Sequence, residues 1–306
     1  MSRGKGDHCN PVMAVDGLGT LYVAWQENSR GVWDVCLSTC VDGQTWSAPV
    51  RLTDSDEDHV NPALAAGTLP SGLVAITWQA GPTGRQDIYV AHSTDAFASA
   101  EVAQVTSDDA DQADPAVAID GVDTILVVWA DSRGGSSDLY AATSAEGPWT
   151  NVPVVAIDSN QTQPAVAVDS RGRVHLLWVD DLGGDRDIFY AVSQGMPTDS
   201  VACMDIVDDE TRADQGSPTV VVAKNADGVE RAFACWVDGR HGNAGLCLAD
   251  LTAGAPPANV LLGDGGAAGN QREVSLGVDA AGDPYVVCTD DVGGDPQVYC
   301  SAPLGV

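Results

Sequence analysis

The chain has 306 residues, 44% of them hydrophobic, with 33 glycines and a formal charge of −30. Such a chain can bury a core and turn often, while its charge repels nucleic acid and anionic membrane and removes both as expected partners. No apolar run approaches the roughly 20 residues needed to cross a bilayer, and the polar start, Met1 to Gly6, does not read as a signal peptide.

The chain repeats itself. Asp111 to Tyr140 reads as a polar cluster ending at Pro115, an apolar run to Ile119, an Asp120-Gly121 turn and a second run to Trp129. A Gly-rich loop and a third run from Asp138 follow. The Pro115 position recurs at Pro11, Pro62, Pro164, Pro218 and, substituted, Val274, at spacings of 51, 53, 49, 54 and 56 residues. A period of that size signals a propeller, solenoid or array. The repeats span approximately 7–57, 58–110, 111–159, 160–213, 214–269 and 270–306.

In repeat one the runs are Val12–Val15, Leu21–Trp25, Asp34–Ser38 and Ala48–Leu52, each bounded by turn formers, which is the signature of strands. Repeat two offers Ala63–Ala65, Leu73–Trp78, Asp87–His92 and Val102–Thr106, and repeat three closes with Val154–Ile157. Repeat four holds Ala165–Val168, Val174–Trp178, Asp187–Val192 and Val201–Val207. Repeat five holds Thr219–Ala223, Arg231–Trp236, Leu246–Ala249 and Val260–Leu262; repeat six holds Val274–Val278, Tyr285–Thr289 and Gln297–Ser301. The expected fold is all-β: a single-domain, six-bladed β-propeller of four-stranded antiparallel blades. Small residues at one position of the first strands (Ala14, Ala65, Ala118, Ala167, Val221, Gly277) suit strands crowded at the centre of a closed all-β fold. Trp25, Trp78, Trp129, Trp178 and Trp236, with Cys288 sixth, read as inter-blade packing. A fourth strand for repeat six would have to come from Ala302–Val306, from the first residues, or from chain beyond a truncated end.

Eight cysteines suggest an oxidising compartment. Cys235 and Cys247 are 12 apart, as are Cys288 and Cys300, and each pair falls on neighbouring second and third strands, so two cross-strand disulfides are expected. Cys9, Cys36, Cys40 and Cys203 are unassigned. No C-x-x-C occurs to suggest zinc.

The turn Thr39-Cys-Val-Asp-Gly-Gln-Thr-Trp46 resembles an Asp-box, the hairpin of the sialidase-like BNR-repeat propellers, through Thr39, Gly43, Thr45 and Trp46, with Asp42 one residue late. Ser93–Phe97 and Ser144–Trp149 are more distant versions, and V-x-W-x-D-x-R-x-G-x-x-D-[IL]-[YF] patterning extends the likeness over all six repeats. The resemblance implies a six-bladed propeller. It does not carry a catalytic site across. Sialidases share an R-I/L-P segment and a clamp of three converging arginines, and this chain has neither R-I-P nor R-L-P. Its Arg30, Arg85, Arg133, Arg186 and Arg240 fall one per blade in the loops between second and third strands, the pattern of a repeated Arg–Asp pair.

In an up-and-down blade those 2–3 loops share one face with the 4–1 loops, and this face is the expected binding surface. Its 4–1 loops end in D-H-C-N-P and five variants. His8, His59, Gln112, Gln161, Gln215 and Gln271 read as structural pins. Asn10, Asn61, Asp114, Gln163, Ser217 and Glu273 vary in type and are the candidate ligand-binding residues, with Trp33 as a stacking platform. Asp114 and Glu273 are the acids among them, and paired carboxylates can hydrolyse glycosides. Asp54, Asp56 and Asp58 alternate as in a calcium loop, though without the Gly and distant Glu of an EF-hand. Most of the 37 Asp residues read as turn formers. The expected function is a non-catalytic binding module of an exported or cell-surface protein, monomeric as a domain, holding a glycan or a protein partner and needing no cofactor, with calcium as the one candidate. A sialidase-like glycoside hydrolase and a purely structural propeller are the alternatives.

Overall fold

The computed structural model describes residues 6–195, 203–205, 212–240, 242–252, 260–262, 270–279, 281–291 and 296–301. The fold is a six-bladed β-propeller, all-β among the described residues apart from one 3-10 turn at Ser144–Glu146. Blade one is β1 (Asp7–Val15), β2 (Leu21–Asn28), β3 (Asp34–Cys40) and β4 (Val50–Arg51). Blade two is β5 (His59–Ala66), β6 (Val74–Ala80), β7 (Asp87–Ser93) and β8 (Glu101–Gln104). Blade three is β9 (Gln112–Ile119), β10 (Ile125–Asp131), β11 (Asp138–Thr143) and β12 (Val152–Val155). Blade four is β13 (Gln161–Val168), β14 (Arg173–Asp180), β15 (Asp187–Gln194) and β16 (Cys203–Asp205). Blade five is β17 (Gln215–Lys224), β18 (Glu230–Asp238), β19 (Gly245–Asp250) and β20 (Val260–Leu262). Blade six is β21 (Gln271–Val278), β22 (Pro284–Asp290) and β23 (Gln297–Cys300), three-stranded among the described residues, with Ala302–Val306 outside them.

Within each blade the strands pair antiparallel in chain order. The chain divides into two compact units, residues 1–156 with 198–200 and residues 157–197 with 201–306. The first holds blades one to three and the second blades four to six. Inside each unit, successive blades bury a shared apolar layer. Trp78 lies in a cluster with Val35 and Leu37 of β3, Trp129 with Ile88 and Val90 of β7, and Trp236 with Ile188 and Tyr190 of β15. These indoles are at most 1% exposed, which makes them packing residues, as the sequence pattern expects.

The turns between first and second strands account for part of the aspartate excess. Asp16 Oδ1 accepts the N–H groups of Leu18 and Thr20, Asp120 those of Val122 and Thr124, and Asp169 those of Arg171 and Arg173. Asn225 and Asp279 do the same. One short side chain thereby satisfies two backbone donors, the mechanism that favours Asx residues in turns. The turns between third and fourth strands differ. In blade one Asp42 accepts from Gln44 and Thr45 N–H groups. In blade two Ser93 donates to Asp95, which also takes the Ser99 hydroxyl and N–H, while Phe97 sits buried at φ 62°. Those donors, Ser99 foremost, pull the Asp95 pKa down to about 2.

Two expectations need correction. Neither cross-strand disulfide forms; Cys235, Cys247, Cys288 and Cys300 are all thiols. The register pairs Trp236 with Cys247 and Cys235 with Leu248, and likewise Cys288 with Tyr299 and Val287 with Cys300. Directly opposed residues share a sheet face and consecutive ones alternate, so each proposed pair points to opposite faces. Same-face partners in these hairpins have odd separations, and 12 is even. The side chain of Cys203 lies outside the described residues. Second, every first strand starts three to five residues before its expected start. The motif placed in the 4–1 loop is itself strand, for a reason that shapes the candidate site.

Candidate functional site

Each first strand carries the same distortion. Asn10, Asn61, Asp114, Gln163, Ser217 and Glu273 all have left-handed backbone, with φ of 50–54°. At each, the register slips so that two residues of the first strand oppose one of the second. That is a β-bulge. The second bulge residue is proline in five blades and has no N–H to lose from the ladder. The single residue opposite the bulge is Trp25, Trp78, Trp129, Trp178, Trp236 or Cys288. The two strongest repeats in the sequence are therefore two sides of one device.

The bulge re-aims the six candidate side chains. In the first unit three of them join a relay. Gln26 Oε1 accepts Asn10 Nδ2 at 3.0 Å and the Asn61 N–H at 2.9 Å. Asn10 Nδ2 also reaches Asn61 Oδ1 at 3.1 Å. Gln79 Oε1 repeats the pattern one blade on, accepting Asn61 Nδ2 at 3.1 Å and the Asp114 N–H at 2.9 Å, while its Nε2 donates to Gln86 at 2.7 Å. Gln26 and Gln79 went unnoticed in the sequence; their signal is that Gln follows the repeated Trp in blades one and two alone. In the second unit Gln163 Oε1 accepts the Ser217 N–H at 2.7 Å, and Glu273 accepts the Thr289 hydroxyl at 2.7 Å. Asp114 and Glu273 belong to different units.

A second device joins blades within each unit. Asp58 Oδ1 accepts the Trp33 N–H, and the His59 N–H donates to the Trp33 carbonyl, both at 2.8 Å. Asp111 and Gln112 clamp Gln86 in the same way, Asp214 and Gln215 clamp Arg186, and Asn270 and Gln271 clamp Ala244. Trp33 is thus held by its main chain, with a half-buried side chain. Of the three alternating aspartates, Asp58 serves this clamp and Asp54 pairs with Arg30 at 2.9 Å. Among the described residues no group of three or more His, Cys, Asp or Glu is arranged to hold a metal ion.

The five loop arginines are each engaged by aspartate. Arg30 forks onto Asp34 at 2.9 and 3.0 Å, Arg133 onto Asp131 and Arg240 onto Asp238; Arg186 pairs with Asp214 and Arg85 with Asp109. Arg133 also lies 4.4 Å from the Tyr140 ring centre. Such bidentate pairs fix a guanidinium in place. The repeated Arg–Asp pairing expected from the sequence is present, and these arginines are held by the protein's own carboxylates.

The pins behave as scaffold. His59 is buried; its Nδ1 accepts Trp78 Nε1 at 2.9 Å and its Nε2 lies 2.8 Å from the Ser55 hydroxyl. Burial lowers its pKa, so the imidazole is neutral. In blades three and four an aspartate two residues after the Trp takes the indole N–H instead, Asp131 at 2.9 Å and Asp180 at 3.2 Å. Blade two has Ala80 there, and His59 replaces the missing acceptor.

No known family pattern matches the sequence, and no curated relative matches it. Solved structures do. A protein of unknown function from Dyadobacter fermentans aligns over 97% of this chain and 94% of its own, with TM-score 0.67 and 14% identity. The Hadza microbial sialidase Hz136 aligns over 97% of this chain and 66% of its own, with TM-score 0.66 and 17% identity. The α-L-arabinofuranosidase arb93a of Fusarium graminearum covers 92% and 89%, with TM-score 0.64 and 17% identity. The chain is similar to all three in fold, and that fold is the sialidase-like six-bladed β-propeller.

Proposed function

We propose that this chain is a non-catalytic binding module of an exported or surface protein, holding a neutral glycan at the amide relay of its first unit. The observation that carries the reading is the Asn10–Gln26–Asn61–Gln79 relay, four neutral amides held in fixed orientation beside left-handed bulges. Amides offer both donors and acceptors to sugar hydroxyls. Asp114 borders the relay, and Trp33 supplies an aromatic surface of the kind that stacks on a sugar. The loop arginines are committed to aspartates, which disfavours a sugar carboxylate as ligand. A net charge of −30 acts in the same direction.

Calorimetric titration with neutral polysaccharides and with sialosides, alongside an assay for released sugar, tests this. Neutral glycan binding that weakens in Asn61→Ala and Trp33→Ala, without sugar release, is the expected result. A chelator should leave that binding unchanged, since Asp54 and Asp58 already have partners in Arg30 and the Trp33 N–H. Turnover lost on Asp114→Asn or Glu273→Gln would establish a hydrolase instead. Absence of binding to every glycan would favour a protein partner or a structural role.

A further inference from the structure

The interface between blades five and six differs from the others within the units, each of which buries a Trp. Between blades one and two and between blades four and five, the Trp of one blade shares a cluster with the residue that precedes the Trp in the blade before it, Ala24 with Trp78 and Leu177 with Trp236; between blades two and three that preceding residue is Thr77, outside the Trp129 cluster. At the last interface those two positions are Cys235 and Cys288. Both lie in one cluster with Leu246, Leu248, Phe233 and Val286, Cys235 at 0% exposure and Cys288 at 6%. A large indole is missing from this layer, and two thiols stand at the positions it would bring together.

We propose that Cys235 and Cys288 are the site of a covalent modification: a disulfide that joins blade five to blade six where the tryptophan is lost. The other cysteines nearby are excluded by geometry. Cys247 projects from the opposite face of its sheet and its Sγ lies 3.5 Å from Asp238 Oδ2; Cys300 is exposed and opposes Val287, also on the far face. Burial first, then charge on Cys247 and, least, on Cys288, raises the Cys235 pKa. Burial, then the charge of Asp290, raises that of Cys288. Thiolates are the reactive form, so the bond forms while the blades are docking and before both thiols are sealed.

The oxidant is a small-molecule or protein disulfide. A thiolate from one cysteine attacks it, giving a mixed disulfide and one released thiol. The second cysteine then attacks the protein sulfur of that mixed disulfide and expels the second thiol. Two thiols lose two protons and two electrons, and one disulfide gains them.

The test is refolding of the whole chain in oxidised glutathione, alkylation after denaturation, and peptide mapping. Trypsin separates Cys235 (Ala232–Arg240) from Cys247 and from Cys288, and cleavage before Asp290 separates Cys288 from Cys300. A linked Cys235–Cys288 peptide is the expected species. Oxidation should raise Tm by roughly 4–8 °C. Cys235→Ser, Cys288→Ser and the double variant should abolish that rise equally. Cys288→Trp, which restores the residue of the other blades, should lose the redox response yet fold under reducing conditions. Alkylated Cys235 and Cys288 in the oxidised protein, a different pairing, or a redox-dependent Tm surviving in Cys235→Ser would each overturn the proposal.

Discussion

The two units solve the same local problem by different means. Every bulge turns a backbone N–H away from its ladder, and a buried donor without a partner costs free energy. In the first unit the acceptor comes from a neighbouring second strand, Gln26 for Asn61 and Gln79 for Asp114. In the second unit the equivalent positions are Val179 and Val237, and a bulge side chain, Gln163, turns to accept the Ser217 N–H. Supplying the acceptor from outside lets the Asn10 and Asn61 side chains join the relay, where they bond Gln26, Gln79 and each other. Supplying it from the bulge itself commits the Gln163 side-chain oxygen to a backbone donor. The bulge is common to both units, while the side-chain network built on it differs between them.

The largest expected effect lies at the position opposite the bulge. Trp129→Ala should cost about 3–5 kcal/mol in urea denaturation, because a fully buried indole is lost and Asp131 loses a donor. Cys288→Ala, with thiols kept reduced, should cost about 1 kcal/mol or less. Equal losses would mean that the aromatic residue does not support the bulge.

Next comes the relay itself. Gln79→Leu should cost about 1–3 kcal/mol, because it strands the Asp114 N–H and releases both Asn61 and Gln86. Gln163→Ala uncovers the exposed Ser217 and should cost less than about 1 kcal/mol. The reverse order would erase the distinction drawn between the units.

Acid titration sharpens the contrast with two aspartates near Arg–Asp forks. Asp138 in the first unit has a pKa raised by burial and then by the charge of Asp131, its directly opposed neighbour. Its ionisation therefore opposes folding: stability is greatest below the ordinary carboxylate range and falls as pH rises through the raised value. Asp238 in the second unit behaves oppositely. Burial is the largest single influence and pushes its pKa up, but the Arg240 side chain and N–H outweigh it and the net shift is downward. Its contribution is full above the ordinary carboxylate pKa and is lost as pH falls through the lowered value. Asp138→Asn should therefore stabilise slightly at pH 7, by less than about 1 kcal/mol, and have no effect well below pH 4. A gain that persists in acid would show that charge is not its cause. Asp238→Asn should have the opposite sign at pH 7.

The smallest effect is expected at Trp33. Its clamp contacts are main-chain atoms, so Trp33→Ala should leave stability within about 0.5 kcal/mol, and a larger loss would show that its side chain belongs to the scaffold.

Strand positions and blade count were legible because period-two runs and turn residues repeat on a fixed frame. The first strands were misjudged at their starts because proline reads as a boundary, whereas Pro11 and its equivalents sit inside a bulged strand. The disulfides were misplaced because spacing alone ignores which face a residue occupies, and the Cys235–Leu248 register decides that. The relay was hidden for a further reason. Gln26 and Gln79 are single residues in two of six repeats, and a departure from a repeat carries no periodic signal. The Arg–Asp pairs were visible because they recur.

The inter-blade clamp has a consequence for how such a protein can change. It takes an N–H and a carbonyl from each of Trp33, Gln86, Arg186 and Ala244; the Arg186 side chain also pairs with Asp214 and that of Gln86 with Gln79, while Trp33 and Ala244, an aromatic and a methyl group, lend main-chain atoms alone. Backbone atoms are the same in nearly every residue, so at Trp33 and Ala244 selection on what the position displays is decoupled from selection on whether the chain folds. They are sockets of fixed geometry with exchangeable contents. A library randomised there should remain folded across most of its members while altering what the surface presents.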